Sequence, residues 1–275
     1  MNQDLIEAFK EYLLVNKALS QNSITSYILD IKQFSDFLQK DLLRADSLEI
    51  LNFLKKFKNP RTLNRKLASI NAFYNFCKEA EFGYIDLNLT GAKVPQTLPH
   101  YLESEEILEA VEKIPQKTWL DARDKAIILF LYATGVRVSE LISLKREDIQ
   151  DGWLRIRFAK GSKERMVPIA EVALASLYKY LKQRDDVKPE LFVNYKKEPL
   201  SRISVFKITK KYLNVSPHVL RHSYASSLII GGADLRVVQE LLGHSSLLTT
   251  QIYTHIQKSH LEETINAYHP LSQRG

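Results

Sequence analysis

The chain has 275 residues, with 39 Lys+Arg against 32 Asp+Glu and a formal net charge of +7. A single cysteine, Cys77, excludes an internal disulfide and a cysteine-based zinc site and points to a reducing compartment, and nine glycines with nine prolines exclude a collagen-like or low-complexity chain. At 45% hydrophobic the chain can bury a core, no apolar run reaches the ~18–20 residues that span a bilayer, and MNQDLIEAFKEYL lacks a signal-type apolar stretch, so a soluble cytoplasmic protein is expected.

The first 80 residues read as four or five helices in a small bundle. Leu5, Phe9, Tyr12 and Leu13 recur at three- and four-residue spacing. Ile24, Tyr27, Ile28, Ile31, Phe34 and Leu38 do the same after a start signal at Asn22-Ser23. Leu48, Leu51 and Leu54 mark a shorter helix. Asn59-Pro60 starts another, with a wide stripe of Leu63, Leu67, Ile70, Phe73, Tyr74, Phe76 and Cys77.

Residues 83–99 break every period and hold both glycines and prolines, which makes them the linker between a domain at 1–82 and one at 100–275. The second domain opens with helices at 103–114 and 121–134. Residues 153–158 alternate, with Leu154, Ile156 and Phe158 on one face, and 165–169 read as the return strand of a hairpin turned at 160–163. Helices follow at 171–183, 202–211, 217–230, 234–242, 246–252 and 258–268. The basic excess is spread over both halves, net +2 in 1–99 and net +5 beyond, so charge alone does not decide for nucleic acid.

Four clusters carry chemistry. In Pro217-His218-Val219-Leu220-Arg221-His222, Ser216 can cap a helix that Pro217 begins, and His218 and Arg221 share a face. A helix N-terminus with these cations suits an anion; a solvated polar face or a His218/His222 metal pair are the other readings. In Gly243-His244 and the stretch to Tyr253, a glycine ends a helix, and Tyr253 by itself is a packed aromatic or, with cations around its target, a nucleophile. In Ala133–Leu141, Gly135 interrupts a helix, Thr134 or Ser139 can cap the next one, and Glu140 stands three residues from Arg137, able to hold its guanidinium or simply to pair with it. Lys160 lies in the hairpin turn, as a surface charge or as a ligand-reaching ammonium.

Taken together, the stretches ATGVRVSELISL, FAKGSKERMVPI and SPHVLRHSYASSLIIGGADLRVVQELLGHSSLLTTQIYTH resemble the tyrosine recombinase (phage integrase) family, and most of all its Xer-type site-specific recombinases. LSQNSITSYILDIKQFSDFL and RTLNRKLASINAFYNF resemble that family's core-binding domain, so the resemblance covers nearly the whole chain. The linker DLNLTGAKVPQTLP departs from the family's usual Asn-Pro and proline-lysine pattern.

The resemblance implies a mainly α fold with a small β-hairpin or sheet. It would comprise a helical, SAM-like core-binding domain and a mixed α/β catalytic domain ending in an exchange helix at 258–268. It implies six catalytic residues: Arg137 and Arg221 on the phosphate, Lys160 as general acid, His218 on the tyrosine proton, His244 on the phosphate and Tyr253 as nucleophile. Glu140 and His222 would support them, and Lys207, Lys210 and Lys211 are candidate DNA contacts or a solvated basic face. The expected reaction cuts and rejoins double-stranded DNA through a 3′-phosphotyrosyl link, with no metal, no cofactor and no ATP, in a homo- or hetero-tetramer with a second recombinase. Chromosome dimer resolution near the nucleoid is the expected setting. A mobile-element integrase, a type IB topoisomerase and a non-catalytic DNA-binding regulator are the alternatives.

Overall fold

Several helix starts in this chain are set by side chains that satisfy the free amides of the first turn. The computed structural model describes residues 2–17, 19–82, 89, 91–93, 101–157, 164–243 and 255–272, in two compact units, Met1–Thr97 and Leu98–Gly275.

The first unit is built from α1 (Asn2–Val15), α2 (Gln21–Leu38), α3 (Ser47–Lys55) and α4 (Pro60–Glu79). The Ser20 hydroxyl accepts from the Ser23 amide, so α2 starts before the Asn22-Ser23 signal, and Ser23 is the capped residue. Asp46 and Glu49 form a reciprocal capping box on α3. The Asn59 side chain accepts from the Arg61 and Thr62 amides, with Pro60 at the first helical position.

Phe9, Ile31, Phe34, Ile50, Phe73 and Cys77 are fully buried, and Phe9 meets Phe73 edge-on with ring centroids 5.3 Å apart. Each of these phenylalanine and isoleucine side chains contributes about 1.5–3 kcal/mol by leaving water. Burial also pushes the Cys77 thiol up to about 12, which leaves it unreactive at neutral pH. On α3 the stripe differs from the expected one: Leu48 and Leu51 are exposed, while Ile50, Phe53 and Leu54 face the core. The alternative set wins because its phenylalanine meets the rings of Phe34, Phe37 and Phe57. Within 83–99, Ala92 exchanges two hydrogen bonds with the Asn64 side chain, at 2.7 and 2.8 Å.

The second unit comprises α5 (Ser104–Glu112), α6 (Trp119–Thr134), α7 (Val138–Leu141), β1 (Ile149–Gln150), β2 (Trp153–Ile156), β3 (Arg165–Pro168), α8 (Glu171–Gln183), α9 (Arg202–Leu213), α10 (Pro217–Gly231), α11 (Leu235–Leu242) and α12 (His255–Tyr268). From Ala126 onward α6 is buried on every side and runs through the core, with α8 and α10 against it. The sheet is antiparallel in the order β1-β2-β3, with Leu154 opposite Val167 and Ile156 opposite Arg165. The fold is therefore mainly helical with one small sheet. β1 is a strand the alternation pattern missed, because two residues are too few to show a period.

The expected strand 153–158 ends at Ile156, α6 starts at Trp119 rather than 121, and α12 starts at His255 rather than 258. Phe158, the turn at 160–163 and the expected helix at 246–252 lie outside the described residues. Along α12, Leu261 and Ile265 are buried against the same unit, next to α10, α11 and β3. Just after it, His269 sits fully buried between the Tyr132 and Tyr224 rings, with centroids 5.0 and 5.4 Å away.

Candidate active site

The site begins where α6 stops. Gly135 takes a left-handed φ of +59° and its amide donates to the Leu131 carbonyl. A side chain is disfavoured here on two counts: a Cβ would lie 2.3 Å from the Tyr224 ring, and the φ is strained for an L residue. Neither Thr134 nor Ser139 caps α7. The Thr134 hydroxyl turns back to the Phe130 carbonyl at 2.6 Å, and the Glu140 carboxylate accepts from the Arg137 amide at 2.7 Å. A carboxylate at a helix start outcompetes a hydroxyl because it answers the dipole as well as the amide.

Glu140 also accepts from the Arg137 guanidinium at 3.0 Å. Its own side chain is 9% exposed, whereas that of Arg137 is 38% exposed, so the acid is inside and the cation reaches out. Burial pushes the Glu140 carboxyl up, but the hydrogen bonds and charge of Arg165, with the hydrogen bonds of Arg137, outweigh it and hold it below the usual carboxylate range.

Arg221 projects from α10 between two helix ends. Its guanidinium donates to the Gly135 carbonyl after α6 and, at 2.7 Å, to the Leu242 carbonyl at the end of α11. Burial and the neighbouring charges of Arg137 and Arg165 hold it down to about 10, so it stays cationic at neutral pH. His218 and His222 sit on the exposed side of α10. Pro217 opens that helix, but Ser216 makes no side-chain cap bond, contrary to expectation. The proline carries no amide proton and so leaves one fewer donor to satisfy.

Among the described residues, Arg137 and Arg165 both pair with Glu140, and Arg221 feels the charges of all three. Such a surplus of positive charge beside exposed histidines suits an anion. Among the described residues, no helix is long and apolar enough to cross a membrane, and no group of three or more His, Cys, Asp or Glu side chains could hold a metal ion.

Residues 100–260 match the model of the phage integrase family, and residues 6–81 match that of the phage integrase N-terminal SAM-like domain. The chain belongs to the phage integrase family. It is 34% identical to the tyrosine recombinase XerC of Thermodesulfovibrio yellowstonii, over 98% of each protein. It is 38% identical to the tyrosine recombinase XerA of Pyrococcus furiosus, over 96% of this chain and 94% of the relative. A crystal structure of XerH site-specific recombinase bound to palindromic difH substrate, a post-cleavage complex, is 28% identical, with a TM-score of 0.68 over 97% of this chain and 84% of that one. The chain is a tyrosine recombinase of the Xer type.

In this recombinase the fold brings Arg137, Glu140 and Arg221 together around the C-terminal ends of α6 and α11, with His218 one turn before Arg221. Lys160, His244 and Tyr253 lie outside the described residues. Gly243 ends α11 in the left-handed conformation expected of it, directly before His244. Lys207, Lys210 and Lys211 are exposed on α9; Lys210 donates to the Asn214 carbonyl and Lys211 to the Tyr212 hydroxyl.

The sequence pattern marks Arg165 only as the first residue of a return strand, yet the structure places it in the site. It was detectable: Arg165 and Val167 share one face of β3, and Val167 pairs with the inward Leu154. A charge on the buried parity of a strand needs a partner.

Proposed function

We propose that this recombinase cuts and rejoins double-stranded DNA at a specific site through a 3′-phosphotyrosyl link to Tyr253. The observation that carries the reading is the charge surplus around Glu140, with Arg137 exposed and Arg221 anchored beside it. Attack on a phosphodiester adds negative charge to oxygens that are already anionic. Preset forked donors stabilise that charge without reorganising at the moment of reaction.

In this reading the Tyr253 oxygen attacks phosphorus while His218 takes the phenol proton. The bond to the 5′ oxygen breaks, and Lys160 protonates the departing 5′-hydroxyl. Arg137, Arg221 and His244 hold the non-bridging oxygens, with Glu140 and His222 in support. The phosphotyrosyl bond is itself a phosphodiester, so a 5′-hydroxyl from a partner strand reseals it without ATP or a metal ion.

Exchange between two duplexes, each cut on both strands, calls for four protomers, as a homo-tetramer or with a second recombinase. The XerH relative was captured on its own DNA substrate after cleavage, which supports DNA as the substrate class here. The SAM-like domain would hold one face of the duplex, and Lys207, Lys210 and Lys211 would add phosphate contacts. The C-terminal helix, packed on its own unit in the single chain, would move to a neighbouring protomer on DNA. We assign the biological role to chromosome dimer resolution. Deletion of the gene should then give unsegregated nucleoids, whereas a mobile-element integrase would leave segregation untouched.

The direct test uses a nicked duplex selected by covalent capture from a randomised pool. Wild-type protein should form a covalent adduct in the presence of a chelator, and Tyr253→Phe should form none. An adduct that persists in Tyr253→Phe removes this reading.

A further inference from the structure

We infer that Arg165 is a positioning residue for strand cleavage: through Glu140 it fixes the guanidinium of Arg137. This rests on the reading of Arg137 as a phosphate-binding group.

The Glu140 carboxylate is shared evenly. Its Oε1 accepts from Nη1 of Arg165 and from Nη1 of Arg137, both at 3.0 Å. Its Oε2 accepts from Nη2 of Arg165 at 2.9 Å and from the Arg137 amide at 2.7 Å. A planar fork against a carboxylate permits one mutual orientation, so Arg165 removes the rotation that would otherwise let Glu140 release Arg137. A single ammonium could satisfy one oxygen without imposing that plane.

A further donor of Arg165 goes elsewhere. Its Nε donates to the Leu241 carbonyl at 3.0 Å, and the next carbonyl, Leu242, accepts from Arg221 at 2.7 Å. Two arginines from different elements, β3 and α10, therefore hold consecutive carbonyls at the end of α11. The next residue, Gly243, has a φ of +66°, and a Cβ on it would lie 2.9 Å from Nη1 of Arg165. The glycine serves both the left-handed turn and the close approach of the guanidinium.

Burial separates the roles. Arg165 is 3% exposed and cannot reach a phosphate bound at the surface, whereas the Arg137 side chain is 38% exposed and can. Stability gives little reason for the ion pair, since a buried pair is often no better than packed apolar groups of the same volume. Orientation of Arg137 gives a sufficient one.

The test is a double-mutant cycle on the rate of covalent adduct formation at saturating protein, with the nicked duplex captured by wild-type protein as probe. Arg165→Lys should slow adduct formation about tenfold, within the range of coupling between neighbouring groups, while DNA affinity changes less than about twofold. In an Arg137→Lys background the same change should cost clearly less, about threefold, because no Arg137 fork remains to be oriented and only the hold on the end of α11 is lost. Full-sized costs in both backgrounds would make Arg165 merely structural and overturn the inference, as would a wild-type rate in Arg165→Lys.

A second measurement needs no DNA. The guanidinium protons of Arg137, assigned in NMR spectra by their loss in Arg137→Lys, should be resolved in wild type and averaged by rotation in Arg165→Lys, or in Arg165→Met if the lysine variant does not fold. Unchanged signals overturn the inference. Failure of wild-type protein to form any adduct would instead remove the catalytic reading, which the NMR arm does not depend on.

Discussion

Arg165 donates to both oxygens of Glu140, at 3.0 and 2.9 Å, and so holds the same carboxylate that receives the amide and guanidinium of Arg137. A strand and a helix start, 25 residues apart in sequence, share one buried charge. That arrangement sets the first prediction. Glu140→Gln leaves two arginines without their acid and should destabilise the fold by about 3–5 kcal/mol, as breaking a buried pair does. Because the folded carboxyl lies below its ordinary value of 4.5, its stabilisation is present above that pH and is lost as the pH falls further. Denaturant midpoints at neutral pH and near pH 4 check this: the gap between wild type and variant should narrow in acid.

Gly135→Ala places a methyl group against the buried Tyr224 ring and forces a left-handed φ on an alanine. The two effects together should cost about 2–4 kcal/mol. The Gly135 carbonyl is also an acceptor for Arg221, so adduct formation should fall further than the loss of folded protein explains. A melting temperature equal to wild type would contradict this packing.

Arg221→Ala removes the guanidinium that spans the ends of α6 and α11. Loss of one preset donor at a developing negative charge slows reactions by about 10²–10³-fold. Adduct formation should drop by that factor while the protein still binds DNA. Near-native cleavage would remove Arg221 from the proposed phosphate site.

His269 makes stability depend on pH in a second window. Its Nδ1 accepts from the Leu271 amide and its Nε2 faces the Tyr132 carbonyl, both at 3.2 Å, a set that only the neutral ring satisfies. Burial holds its basicity down to about 4, from an ordinary value of 6.5. The unfolded chain binds that proton first, so the stabilisation is complete above pH 6.5 and drains away toward pH 4, by about 3 kcal/mol. Denaturation of His269→Gln over this range should show a shallower slope than wild type. Equal slopes would assign the effect to other groups.

Much of the fold was legible because it is local. Asn59-Pro60 announced α4, Gly135 and Gly243 announced helix ends, and alternation at Trp153–Ile156 announced the hairpin. Misreadings arose where two local solutions compete. The α3 face was chosen by the aromatic partners of Phe53, and the cap of α7 by the carboxylate of Glu140 in preference to the hydroxyls of Thr134 and Ser139.

By itself the sequence determined the helical periodicity, the turn glycines and the family resemblance, and with them Arg137 and Arg221 as the arginines to watch. Each of these depends on residue type and short spacing along the chain. Only the tertiary structure decided what holds those arginines. Arg165 comes from β3, the Gly135 carbonyl from the end of α6, and the Leu241 and Leu242 carbonyls from the end of α11. Backbone carbonyls carry no residue identity, and a fork from one element to a carboxylate on another has no fixed spacing. Long-range hydrogen-bond geometry chose these partners.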